Sequence, residues 1–237
     1  MSSTEVAEAF RGPILTFDTA TTVAVVALGD AEGRLLAESS WTAGYRHGEE
    51  LLARIDALLS GAGVELGALA GIVVGTGPGA FTGLRVGLAT AKGLAHGLQI
   101  PIVGVATSTA LLRAAANGSG PGPSATGRFV LLLPAGPSDR VLIAGGVSRL
   151  LVGGTDPEVE AGATLVAVDL AGRAPADAVE RGERARAGMA AVLLKIGVER
   201  MAAGTTDDLA ALVPEYVTLP RGVPSEAGTV EWSRDPR

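Results

Sequence analysis

The 237 residues are 47% hydrophobic and 3% aromatic, with a mean hydropathy of +0.37, a formal net charge of −6 and no cysteine. An acidic chain does not grip a nucleic-acid backbone by itself, and without thiols there are no disulfides or thiolate metal sites, which fits a reducing cytosol. No apolar run approaches the ~18 residues of a membrane helix, and the acidic start Met1-Ser2-Ser3-Thr4-Glu5 is not a signal peptide; a cytoplasmic protein that avoids membranes is expected.

Residues 1–12 read as an extension. Three short apolar strands follow at 13–18, 22–28 and 34–41, joined by turns short enough for antiparallel neighbours. Near His47 the period changes. Leu51, Leu52, Ile55, Leu58 and Leu59 follow helical spacing to about Ser60. A strand (70–75), a helix (84–98), a strand (100–105) and a helix (107–116) come next. This element order is that of a ribonuclease-H-like lobe, with right-handed parallel crossovers. Residues 117–124 have linker composition. Beyond them strands are expected at 128–133, 140–144 and 164–169, loops at 153–162 and 171–182, and one long helix at 185–203. The tail carries Arg221, Arg234 and Arg237 and reads as solvated.

The densest signal is Gly75-Thr76-Gly77-Pro78-Gly79-Ala80-Phe81-Thr82-Gly83, four glycines and a proline in nine residues at a strand-to-helix junction. Thr82 is placed to cap the helix. Backbone N–H groups at such a junction suit a phosphate, and the close approach that glycine permits suits a tight protein contact equally well. The loop lacks the Gly-Lys-Ser/Thr of a P-loop and the dinucleotide spacing. Asp18 ends the first strand and leads into Thr19-Ala20-Thr21-Thr22. It could orient a metal-bound phosphate or close an Asx turn. Asp18, Thr19, Gly77, Pro78 and Gly79 are therefore the candidate phosphate-facing residues. His47 and His96, the only histidines, lie on different helices without zinc-site spacing, and no nucleophile elbow is present. No catalytic or metal-ligating residue is assigned. Gly83, Gly87 and Ala91 lie at i, i+4 and i+8, and Gly93 and Gly97 repeat the spacing. Glycine inside a helix costs roughly 0.5–1 kcal/mol relative to alanine. Close packing must offset it, against an internal element or another subunit.

Ile14-Leu15-Thr16-Phe17-Asp18-Thr19-Ala20-Thr21, His47-Gly48-Glu49-Glu50-Leu51, the run from Gly77 to Gly87, and Ile102-Val103-Gly104-Val105-Ala106-Thr107-Ser108 together resemble the TsaB family. The resemblance covers about residues 13–116. It implies an α/β, two-lobe, actin-like fold with an abbreviated second lobe: 13–107, then 108–212, then a tail at 213–237. It implies a non-catalytic subunit of the bacterial machinery that makes threonylcarbamoyladenosine in tRNA, supporting a TsaD-like catalytic subunit beside a third, ATPase subunit. ATP and metal then belong to those partners, tRNA is met only indirectly, and the isolated chain could pair with itself. The subunit interface is expected at His47, Leu51, Gly83, Leu84, Arg85, Gly87, Leu88 and Ala91. The second half departs from the family: at 133–141 it lacks the usual Asp-Ala-Arg and Glu-Val-Tyr, which counts against an independent nucleotide site. The alternatives are a small-molecule kinase or ATPase of the same superfamily, which needs a second-lobe carboxylate, and a metallopeptidase, which needs metal ligands.

Overall fold

A computed structural model describes residues 12–43, 47–118 and 128–216. Strands β1 (Ile14–Asp18), β2 (Val23–Gly29), β3 (Leu35–Thr42), β4 (Gly71–Gly75) and β5 (Ile102–Val105) form one sheet in the order β3-β2-β1-β4-β5. β1 runs antiparallel to β2 and parallel to β4, and β4 is parallel to β5. β1 and β4 are buried throughout, as their near-continuous apolar sequences require of strands covered on both faces. Alternation sorts their side chains. Leu15, Phe17, Ile72 and Val74 share a cluster with residues of helices α1 (His47–Ala62) and α2 (Phe81–Leu98). Ile14, Val73 and Val103 join the opposite cluster, with α5 (Met189–Ala202).

The second sheet consists of β6 (Arg128–Pro134), β7 (Arg140–Ala144), β8 (Val147–Leu151) and β9 (Ala163–Ala167), in the order β8-β7-β6-β9. This is the order of the first sheet without its fifth strand, with β6 and β9 parallel as β1 and β4 are. Between β3 and β4 of the first half stands α1; between β8 and β9 stand only a 3₁₀ turn (Val152–Gly154) and irregular chain. The second half is the abbreviated repeat that the sequence suggested.

Several elements differ from expectation. β8 is an edge strand missed in the sequence, and it follows the two-residue turn Gly145-Gly146 at positive φ. Residues 171–182 are not all loop, because α4 (Ala176–Ala187) begins there. The single helix expected at 185–203 is two, divided at Gly188. Sequence order also misplaces α5. It is apolar on most sides, with Met189, Val192, Leu193, Leu194 and Met201 buried, so it must lie between layers. It packs on the first sheet and on α3 (Thr107–Asn117), and one cluster runs from Val73 and Val103 through these helices to Leu131, Val141 and Val166 of the second sheet. The two halves therefore share a core. After α5 the chain covers the open edge of β5: Asp207 N–H donates to Ile102 O at 2.9 Å, and Gly104 N–H donates to the Asp207 carboxylate at 2.7 Å. The expected linker falls largely within 119–127, outside the described residues, as do the extension to residue 11 and the basic tail. Among the described residues no helix is long and apolar enough to cross a membrane.

Candidate functional site

The residues read as phosphate-facing do come together, but they face one another. β1 delivers Asp18 to the carboxyl end of the sheet beside the end of β4, and the side chain is fully buried. One carboxylate oxygen accepts the Ala20 N–H at 2.7 Å; the other accepts the Thr107 hydroxyl at 2.5 Å. Thr107 Oγ1 in turn accepts the Gly77 N–H at 3.0 Å. Thr19 Oγ1 donates to Gly83 O at 2.7 Å. Two further donors of the glycine loop are also spent internally: Thr76 N–H on Val105 O at 2.9 Å and Ala80 N–H on Ala20 O at 2.7 Å. A Cβ added at Gly75 would collide with the Asp18 carboxylate, and one at Gly79 would lie 2.7 Å from the Ala20 carbonyl carbon. The glycines thus let the loop close onto the β1–β2 turn. Burial raises the Asp18 pKa; hydrogen bonds from Thr107 and Ala20 pull it back, and the charge of Asp169 adds to the rise. Thr82 does not cap α2. The helix begins at Phe81 with Ala80 at its N-cap and no side-chain capping bond.

The C-terminal segment seals the same corner. Glu215 N–H donates to Thr76 O at 2.8 Å, and Thr76 Oγ1 donates to the Glu215 carboxylate at 2.8 Å. Gly77 sits at φ +105°, a conformation suited to glycine, with its Cβ position 2.9 Å from Glu215 O. Tyr216 stands 5.3 Å from the Phe81 ring, and its hydroxyl accepts from Arg85 Nε at 3.2 Å.

The expected interface stripe is corrected in the same way. Gly83, Leu84, Gly87, Leu88 and Ala91 are buried beneath α2, and Leu51 is buried beneath α1. A Cβ at Gly87 would collide with Thr19 Oγ1. Arg85 alone of this set faces solvent, while His47 opens α1 with its side chain outside the described residues. The face of α2 turned away from the sheet carries Ala89, Gly93 and Gly97, all exposed. Among the described residues, and apart from the helix's own backbone, no atom lies within 4 Å of a Cβ added at Gly93 or Gly97. Beside it a groove of about 540 Å³ opens between α1 and α2, lined by Leu52, Ile55, Leu59, Leu66 and Leu94 together with Asp56 and Glu65. Leu52 and Leu66 are 56% and 43% exposed. Sequence reasoning missed the bonds that Thr107 and Asp169 make to this corner, and it named Gly93 and Gly97 without telling that they face outward. Among the described residues no three His, Cys, Asp or Glu side chains gather as a metal site.

Residues 41–185, more than half of the chain, match the family described as TsaD, tRNA N6-adenosine threonylcarbamoyltransferase. The TsaB protein of Haemophilus influenzae is 39% identical over 69 residues, which are 29% of this chain and 29% of the relative. The TsaB protein of Escherichia coli K12 is 36% identical over 94 residues, 40% of each chain. The chain spans less than half the length of the curated relatives it matches. Among solved structures, YeaZ from Pseudomonas aeruginosa superposes with a TM-score of 0.64 at 26% identity, covering 87% of this chain and all of that one. The chain belongs to the TsaD family, as a TsaB-type protein with its two-sheet, actin-like fold.

Proposed function

We propose that this chain is a non-catalytic, cytoplasmic subunit for threonylcarbamoyl transfer to tRNA adenosine, and that it binds a TsaD-type catalytic subunit through the outward face of α1 and α2. The observation that carries the reading is the outward pair Gly93 and Gly97. They weaken the helix, and among the described residues no group uses the space they leave. Small residues at i and i+4 let a second helix approach more closely than the usual 8–10 Å, and the adjoining Leu52–Leu94 groove offers apolar surface for it. The inward closure of Asp18 and the glycine loop supports a scaffold rather than a transferase. The names of the TsaB relatives support the pathway, and a Geotalea daltonii relative named tRNA N6-adenosine threonylcarbamoyltransferase, 44% identical over 63 residues, supports the kind of partner. ATP and metal act in the catalytic and ATPase subunits, and tRNA is met through them. The same face pairs two copies when the chain is alone.

The test is reconstitution of tRNA modification from purified TsaD-type and ATPase subunits, with and without this chain. Modification should require the chain, and the chain by itself should neither modify tRNA nor hydrolyse ATP. Steady turnover by the pure chain, lost in Asp18→Ala, would establish the kinase-like alternative instead.

A further inference from the structure

Asp169 lies two residues past the last strand of the second sheet, yet its side chain serves the first. Its backbone is left-handed, φ 58°, uncommon for any residue but glycine. That conformation aims the carboxylate at the β1–β2 turn and leaves the side chain only 7% exposed. One oxygen accepts the Thr22 N–H at 2.7 Å. The other accepts the Thr22 hydroxyl at 2.5 Å and Arg186 NH1 at 3.1 Å. A backbone N–H, a hydroxyl and a guanidinium converging on one anion are the donor set with which proteins hold a phosphate-sized oxyanion. Unlike the donors of the glycine loop, the two Thr22 donors are spent on a carboxylate that comes from the other half of the molecule, the half that also supplies Arg186.

We propose that the Thr22 turn and Arg186 form an oxyanion seat of phosphate class, and that Asp169 fills it as a built-in anion, fastening the second sheet to the first without a ligand. This inference is independent of the partner assignment. It explains the strained backbone at Asp169 by the work its side chain does. It also makes the junction of the two halves a permanent property of the chain, not one that rises and falls with ligand concentration.

The test is anion rescue. Asp169→Gly removes the carboxylate and leaves a residue that accepts φ 58° without strain. Its thermal midpoint should fall below that of the wild type. Inorganic phosphate, added against chloride at matched ionic strength, should then raise it saturably, by roughly 3–6 °C at about ten times Kd. The wild type should show no such rise, and Asp169→Gly combined with Arg186→Gln should lose it. Adenosine diphosphate and adenosine are titrated separately. A response to the diphosphate as well as to phosphate supports an oxyanion seat, and a response to adenosine overturns it. Asp169→Asn keeps an acceptor oxygen for Thr22 and should fold with no phosphate response. The proposal is overturned if folded Asp169→Gly ignores phosphate, if the wild type responds equally, or if Asp169→Gly fails to fold with phosphate present.

Discussion

Gly87 and Gly93 stand on one helix, six residues apart. A Cβ at Gly87 runs into Thr19 of the same chain; a Cβ at Gly93 meets nothing within 4 Å. Both glycines cost α2 helical stability. At Gly87 the chain recovers that cost, because the helix closes onto the β1–β2 turn and Thr19 bonds Gly83 O. At Gly93 no described residue fills the space that the glycine leaves. A small residue on the exposed side of a helix is what the proposed contact with a partner would use. On that reading the same residue type reports on folding on one face and on association on the other.

Substitutions on the two faces should diverge. The largest loss of stability is expected where the glycine loop meets Asp18. Gly75→Val places carbon where the carboxylate lies and should cost about 3 kcal/mol or more in urea denaturation, at the upper end of overpacking penalties. Thr107→Val keeps the shape but leaves the Gly77 N–H and one Asp18 oxygen unpaired, for a loss of about 2 kcal/mol by the same measurement. The Asp18→Asn effect appears in the pH profile. Because burial raises the folded-state pKa above the ordinary 3.8, the folded chain holds its proton longer than the unfolded one. Stability should then fall as pH rises from that ordinary value through the raised one, and Asp18→Asn should flatten the slope. The smallest effect carries the opposite sign. Gly93→Ala should stabilise the isolated chain by roughly 0.5–1 kcal/mol. A loss there would show that Gly93 serves its own fold, and the contrast with Gly87 would collapse.

Much of the first half is legible in the sequence because each strand is a distinct apolar run and α1 keeps strict helical spacing. The second half is less so for local reasons. β8 is short and lies at an edge, exposing Val147 and Leu150, so it lacks the buried pattern that marks a strand. The Gly145-Gly146 turn before it was the available signal. α4 is rich in charge and small residues, with Ala178, Gly182 and Ala185 inward, and it resembles a loop by composition. Glycine spacing alone does not tell which face of α2 is inner. The large residues do: Leu84 and Leu88 accompany the inward stripe, whereas Arg85 and His96 flank the outward one. No spacing pattern could reveal that Asp169 meets Thr22, since 147 residues separate them and only the return of the second sheet brings them together.

The central claim is that the outward face of α2, and not its inward stripe, binds the catalytic partner. Isothermal titration of the TsaD-type subunit with Gly93→Glu tests it most directly. A glutamate there would hold two helices apart and bury an unpaired charge, which typically costs 3–5 kcal/mol. Kd should rise at least 100-fold, with the unfolding transition of the isolated chain unchanged. An unchanged Kd for folded Gly93→Glu would contradict the claim and return the search for the partner site to the rest of the surface.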